Sequence, residues 1–251
     1  MKLTRTAAAI AAAAALQTAP AQNIQLHHDL GRALYNGLGD RQRLTTTFEM
    51  FRPDKAGSTF LFVDMDYQRD GIKGAYWEIA REFTIGTPTA SSSWAAHAEY
   101  NGGLGSDKAS KVATRYQHIA LLGAAWNWHS ADFSSTFSAQ LMYRYSFKGA
   151  NPWDRPANSF QATAVWGKTF AGKLLSFNGF FDLWHDKDAR GELVFVTEPQ
   201  LWINLNAVKG MEGVNLSLGT EVEISNNFVY DQYGRADKFY AIPTLGAKWT
   251  F

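Results

Sequence analysis

The chain has no cysteine among its 251 residues. That excludes a small disulfide-stapled scaffold, the usual device of an exported chain with too little core. After its first segment it also lacks any run of 18 apolar residues, which excludes helical membrane spans. Charge of one sign is missing as well: 24 Lys and Arg face 23 Asp and Glu, for a formal net charge of +1. Nothing in that balance points to nucleic acid or an anionic membrane surface as a partner. His27-His28 would point to opposite faces of a strand, which disfavours joint metal ligation. No cofactor or metal is expected.

What is present begins with an export pattern. Lys2 and Arg5 precede an apolar stretch from Ala7 to Leu16, and Ala19-Pro20-Ala21 fits an A-x-A cleavage site before Gln22. The stretch is about 10 residues, too short for a spanning helix. Residues 1–21 are therefore expected to be a signal peptide and 22–251 the mature domain, whose 22 basic and 23 acidic residues nearly cancel. Aromatics are abundant, with nine Trp, ten Tyr and seventeen Phe, yet mean hydropathy is −0.26. A transmembrane barrel needs that mixture, because lipid-facing apolar residues alternate with polar lumen residues and aromatics collect at both interfaces.

The clearest period is two. Between Phe133 and Phe147 one face carries Phe137, Ala139, Leu141, Tyr143 and Tyr145, and the other Ser138, Gln140 and Arg144, with Met142 the apolar intruder. A helical period would scatter those aromatics around a cylinder. The pattern predicts twelve strands, near 23–31, 42–51, 58–68, 74–84, 93–101, 115–127, 133–147, 158–170, 173–185, 193–205, 213–226 and 238–251. The fold class is thus all-β, a single transmembrane antiparallel barrel of about 12 strands. The longer, polar connections Gly31–Gln42, Asn101–Thr114, Lys148–Asn158, Asp186–Glu192 and Asn227–Lys238 are placed outside the cell. Those near Pro53–Gly57, Thr87–Ser92, Asn127–Asp132, Ala171–Lys173 and Ala207–Gly213 are placed in the periplasm.

If apolar positions face lipid, the opposite faces line a lumen. That assigns Phe62, Asp64, Asp66, Tyr76, Glu78, Glu82, His97, Glu99 and Asn101 from the first half. The second half adds Arg144, Asp182, Trp184, Glu198, Trp202, Glu221, Glu223 and Lys248. Carboxylates there would favour cations or hydroxyl-rich neutral solutes. Phe62, Tyr76, Trp184 and Trp202 would offer flat surfaces to a base or sugar ring. The competing expectation is that the acids pair across the lumen with Arg43, Arg144 and Lys248 and stiffen a plugged barrel. Asp64-x-Asp66 with His97 could imitate a protease site, but no motif fixes a nucleophile beside a base, and enzyme activity is not expected.

The chain ends on an alternating strand, with Trp249, Ala247 and Leu245 on the face opposite Lys248 and Thr250. A terminal Phe251 after such a strand resembles the signal that outer-membrane barrels present to their assembly machinery. Segments such as Gln25–Arg32, Thr45–Phe51, Phe62-Val-Asp-Met-Asp66, Gly74–Arg81, Thr197–Gln200 and Gly219–Phe228 resemble a family of outer-membrane barrel proteins common in Bacteroidota. That family is in turn similar to the Tsx-like nucleoside-specific channels. The resemblance implies a monomeric barrel in outer-membrane lipid and passive uptake of nucleosides.

Overall fold

The structure, a computed structural model, describes residues 21–69, 71–106, 113–150, 155–186, 192–233 and 235–251. The expected signal peptide lies outside them up to Pro20. So do parts of the connections expected over Asn101–Thr114, Lys148–Asn158, Asp186–Glu192 and Asn227–Lys238.

Alternating sequence becomes fourteen strands: β1 (Ala21–Asp29), β2 (Leu44–Asp54), β3 (Gly57–Gln68), β4 (Gly71–Ile85), β5 (Ser92–Ser106), β6 (Ala113–Arg115) and β7 (Ile119–His129). They continue as β8 (Ser135–Ser146), β9 (Ala157–Phe170), β10 (Leu175–Asp186), β11 (Glu192–Thr197), β12 (Gln200–Asn204), β13 (Leu216–Asn226) and β14 (Phe239–Thr250). All pairings are antiparallel, and β1 pairs with both β2 and β14, so the sheet closes on itself. β11 and β12 share one place between β10 and β13, and β6 is a short extension on β5. Twelve positions around the barrel result, as the sequence pattern predicts.

Three local features differ from the expectation. The strand expected over 193–205 breaks at Glu198-Pro199, because Pro199 has no N–H for a ladder paired on both sides. Carbonyls and flanking amides bridge the break: Glu198 N–H donates to Phe180 O at 3.1 Å and Val222 N–H to Pro199 O at 3.0 Å. The second difference is the turn between β3 and β4. β3 ends at Gln68 and β4 begins at Gly71, so this short connection stands at the same end as the long loops. Third, the Gly31–Gln42 segment is no free polar loop. It forms a helical turn, Gly31–Leu34, and a 3-10 turn, Asn36–Leu38. Leu38, only 2% exposed, packs with Val229, Tyr240 and Ile242 beside Tyr35. Burying an isoleucine and a leucine there outweighs leaving the segment in water.

The outer wall carries the apolar set. Leu26, Leu122, Leu141, Ile203, Leu218 and Leu245 are all exposed, an arrangement that would aggregate in water but suits a hydrocarbon belt. Aromatics gather at its two rims. Phe51, Phe83, Trp94, Trp128, Phe170 and Trp249 mark the end that holds the termini. Tyr100, Tyr143, Phe160 and Phe239 mark the long-loop end, where Tyr100 Oη and His118 Nδ1 lie 2.5 Å apart. Trp and Tyr favour that position because one edge is apolar and the other wet.

Leu141, 65% exposed in the middle of β8, gives a direct check on the belt. Leu141→Arg is expected to destabilise the barrel by about 2–4 kcal/mol in urea unfolding from vesicles. A cost under about 0.5 kcal/mol, the size of an ordinary surface change, would place that face in water instead.

Candidate functional site: an acidic lumen

Residues opposite one another in an antiparallel pair share a face with Cβ atoms about 5 Å apart, so a short hydroxyl can reach a neighbouring carboxylate. The interior repeatedly uses this. Thr45 Oγ1 donates to Asp66 at 2.7 Å, Thr47 donates to Asp64, and Thr163 to Asp182. Tyr76 Oη and Asn101 Nδ2 donate to the same oxygen of Glu78, at 2.6 and 3.2 Å. Gln200 Nε2 donates to Glu221 Oε2 at 2.6 Å, and Asn23 Nδ2 to Glu49 Oε1 at 3.2 Å. In each case one carboxylate oxygen is held and the side chain is fixed in direction. Asp64, Asp66, Glu78, Asp182, Glu198 and Glu221 are only half-buried, so the face they share remains accessible to water. Glu198, beside the β11/β12 break, accepts no hydrogen bond from a described side chain.

The balancing cation is Arg41, not Arg43. Arg41 enters from the folded-in segment before β2 and pairs with Asp29 Oδ2 through Nε and with Glu223 Oε2 through Nη2, both at 2.7 Å. No strand period governs that segment, so alternation could not find it. Arg144 and Lys248 do face inward, but among the described residues neither forms an ion pair with a carboxylate. Arg144 donates to Gln161 Oε1 at 2.9 Å and lies 5.2 Å over the Trp184 ring. Lys248 sits 4.2 Å over Trp202. Cation–π contact replaces the expected cross-lumen pairing.

Trp202 is the largest fully buried side chain, at 0% exposure, and it offers no open face for stacking. Its ring lies over Gly219 and Gly246, where an added Cβ would approach to 2.7 and 2.9 Å. His27 meets it edge-on at 5.7 Å, and its Nε1 donates to Gln200 Oε1 at 2.9 Å. The expected stacking surface there is therefore corrected to a packing role. The other inward rings remain partly accessible: Phe62 and Tyr76 are 5.8 Å apart, and Trp184 meets Phe228 at 5.9 Å.

His97 does not join Asp64 and Asp66. Asp66 pairs with Gly74 at the start of β4, whereas His97 pairs with Glu82 near its end. Its Nδ1 lies 3.3 Å from Glu82 Oε1 and its Nε2 3.1 Å from Glu99 Oε2, so the ring bridges two carboxylates. At the closing strand, Trp249 and Phe251 are exposed on the outer side, and Phe251 N–H donates to Gln22 O at 2.9 Å.

Above the mouth, the loop after β13 is organised by Asp231. Its side chain is enclosed, yet it accepts from Arg235 N at 3.0 Å, Tyr233 N at 2.9 Å and Arg235 Nη2 at 2.9 Å. Burial pushes the carboxyl up, but the Arg235 and Tyr233 hydrogen bonds outweigh it and hold the pKa at about 2. An Asp depressed below its unfolded value near 3.9 gives stability that is full above that value and is lost as pH falls through the folded one. Amide exchange at Tyr233 and Arg235 is therefore expected to stay slow down to about pH 4 and to quicken towards pH 2. Quickening already near pH 6 would contradict this anchor. Trp202→Ala is expected to cost about 3–5 kcal/mol in urea unfolding. A loss below about 1 kcal/mol would mean that Trp202 fills no space that the lumen needs.

The fold is shared with porins. The NanC porin superposes with a TM-score of 0.58 at 9% identity, over 92% of this chain and 100% of that one. The KdgM porin in complex with disordered oligogalacturonate gives a TM-score of 0.50 at 9% identity, over 92% and 99%. At these identities the likeness concerns the closed twelve-stranded barrel of outer-membrane porins and no particular ligand. No curated protein matches the sequence. Residues 21–251 match the family described as Domain of unknown function (DUF5020), and the chain belongs to that family.

Proposed function

We propose that this barrel is a bacterial outer-membrane channel for passive diffusion of small polar solutes, neutral or cationic, with nucleosides the foremost class. The termini and short turns lie in the periplasm, and the long loops face outward. The observation that carries this reading is the inner face itself. Several of its carboxylates are each fixed through one oxygen and half-open to water, and they are countered by few cations, an arrangement that attracts cations and repels anions. The KdgM porin was solved with oligogalacturonate, a polyanion; the lumen here has the opposite preference. Phe62, Tyr76 and Trp184 supply ring faces beside these acids, which suits a nucleobase, and the resemblance to Tsx-like channels supports the same class. Outer-membrane lipid surrounds the apolar belt, the barrel works as a monomer, and β14 with Trp249 and Phe251 is read by the assembly machinery.

A second reading, a plugged structural barrel, draws on one observation. Leu121, Ala125, Met142, Trp202 and Ile242 are fully buried although their positions face inward.

Planar bilayers separate the two. Under a KCl gradient the wild-type barrel is expected to pass current with K+ favoured over Cl−, and adenosine is expected to reduce that current. Glu198→Gln and Glu221→Gln are expected to lower the K+ preference without changing heat-modifiable gel mobility. Absence of any open current, together with no solute flux in liposome swelling, would establish the plugged barrel.

A further inference from the structure

We infer that the lumen contains a subsite for one primary ammonium group, built from Glu78 on β4 and Glu99 and Asn101 on β5. It rests on the channel reading above and extends its solute class to amine-bearing cations. Glu78 and Asn101 are directly opposite in the β4–β5 register, and Glu99 is the next residue on the same face of β5.

Asn101 is the decisive residue. It is only 2% exposed, and while its Nδ2 donates to Glu78 Oε1 at 3.2 Å, its Oδ1 is enclosed without any donor. Glu78 Oε1 already receives Tyr76 Oη at 2.6 Å and Asn101, which leaves Oε2 without a donor. Glu99 Oε2 faces His97 Nε2 at 3.1 Å, which leaves its Oε1 likewise. Three neighbouring side chains thus each present an acceptor oxygen that no described protein group satisfies, and of the three Asn101 Oδ1 is the enclosed one.

An enclosed acceptor without a donor, as Asn101 Oδ1 is, is unfavourable, and beside two carboxylates an occupant is favoured if it brings both donors and positive charge. An ammonium carries three N–H groups on one compact charge, one for each oxygen. Asp64 and Asp182 add to the negative potential acting on Glu78. The nearby cation Arg144 is turned onto Gln161 and Trp184 and does not occupy the cluster.

Calorimetric titration of the folded, detergent-solubilised full barrel tests this with methylammonium chloride and, separately, tetramethylammonium chloride. Methylammonium is expected to bind at least about tenfold more tightly, because tetramethylammonium has no N–H to give. Glu99→Gln and Asn101→Leu are expected to weaken methylammonium by about tenfold or more. Asp54→Asn, at the exposed end of β2, is expected to leave it unchanged. Equal affinity for the two cations, no binding of either, or binding untouched by Glu99→Gln would overturn the subsite. If a variant does not fold, the wild-type comparison of the two cations still decides. The measurement needs no current, so a barrel that conducts K+ without discriminating the cations loses the subsite alone. One that binds methylammonium but never conducts loses the channel alone.

Discussion

In a hydrocarbon layer every backbone N–H and C=O must find its partner inside the protein, and a sheet achieves this only by having no edge. The pairing of β1 with β14 is therefore the contact on which the rest depends. Once the sheet closes, strand alternation becomes an inside and an outside. The leucines of the wall are then committed to the outer face and the acids to the interior. The break at Glu198-Pro199 is tolerable because the Glu198 amide donates to the Phe180 carbonyl of β10 and the Val222 amide of β13 donates to the Pro199 carbonyl.

Closure also sets the electrostatics. Acidic residues drawn from most of the strands are gathered into one narrow space, where their field is stronger than on an open surface. The protein meets that cost locally: Thr, Tyr, Asn and Gln side chains hold one oxygen of several of these carboxylates, and Arg41 ties Asp29 to Glu223 near the mouth. The remaining oxygens stay toward the lumen, where a passing solute would meet them.

Arg41 and Trp202 show how structure converts a uniform tube into a shaped one. Arg41 arrives on a segment anchored by Leu38, so packing of one leucine positions an ion pair between β1 and β13. Trp202 fills the opposite half because Gly219 and Gly246 leave room beneath it and Lys248 covers it. Large and small residues are matched across strands that are distant in sequence.

The strand count, the apolar outer face and the inward direction of residues such as Asp64, Glu78 and Glu221 were legible in the sequence, because a period of two is a local property that each strand carries by itself. The break at Pro199 could have been read from proline's missing N–H. Arg41, the burial of Trp202 and the His97 bridge between Glu82 and Glu99 could not. The first lies where no period operates, and the others depend on which strands become neighbours and on their register. Sequence by itself determined the barrel and which side of its wall each residue takes. Only tertiary structure decided which charges meet, which rings stay open and which oxygens are left without donors, since those follow from closure and cross-strand register rather than from any local pattern.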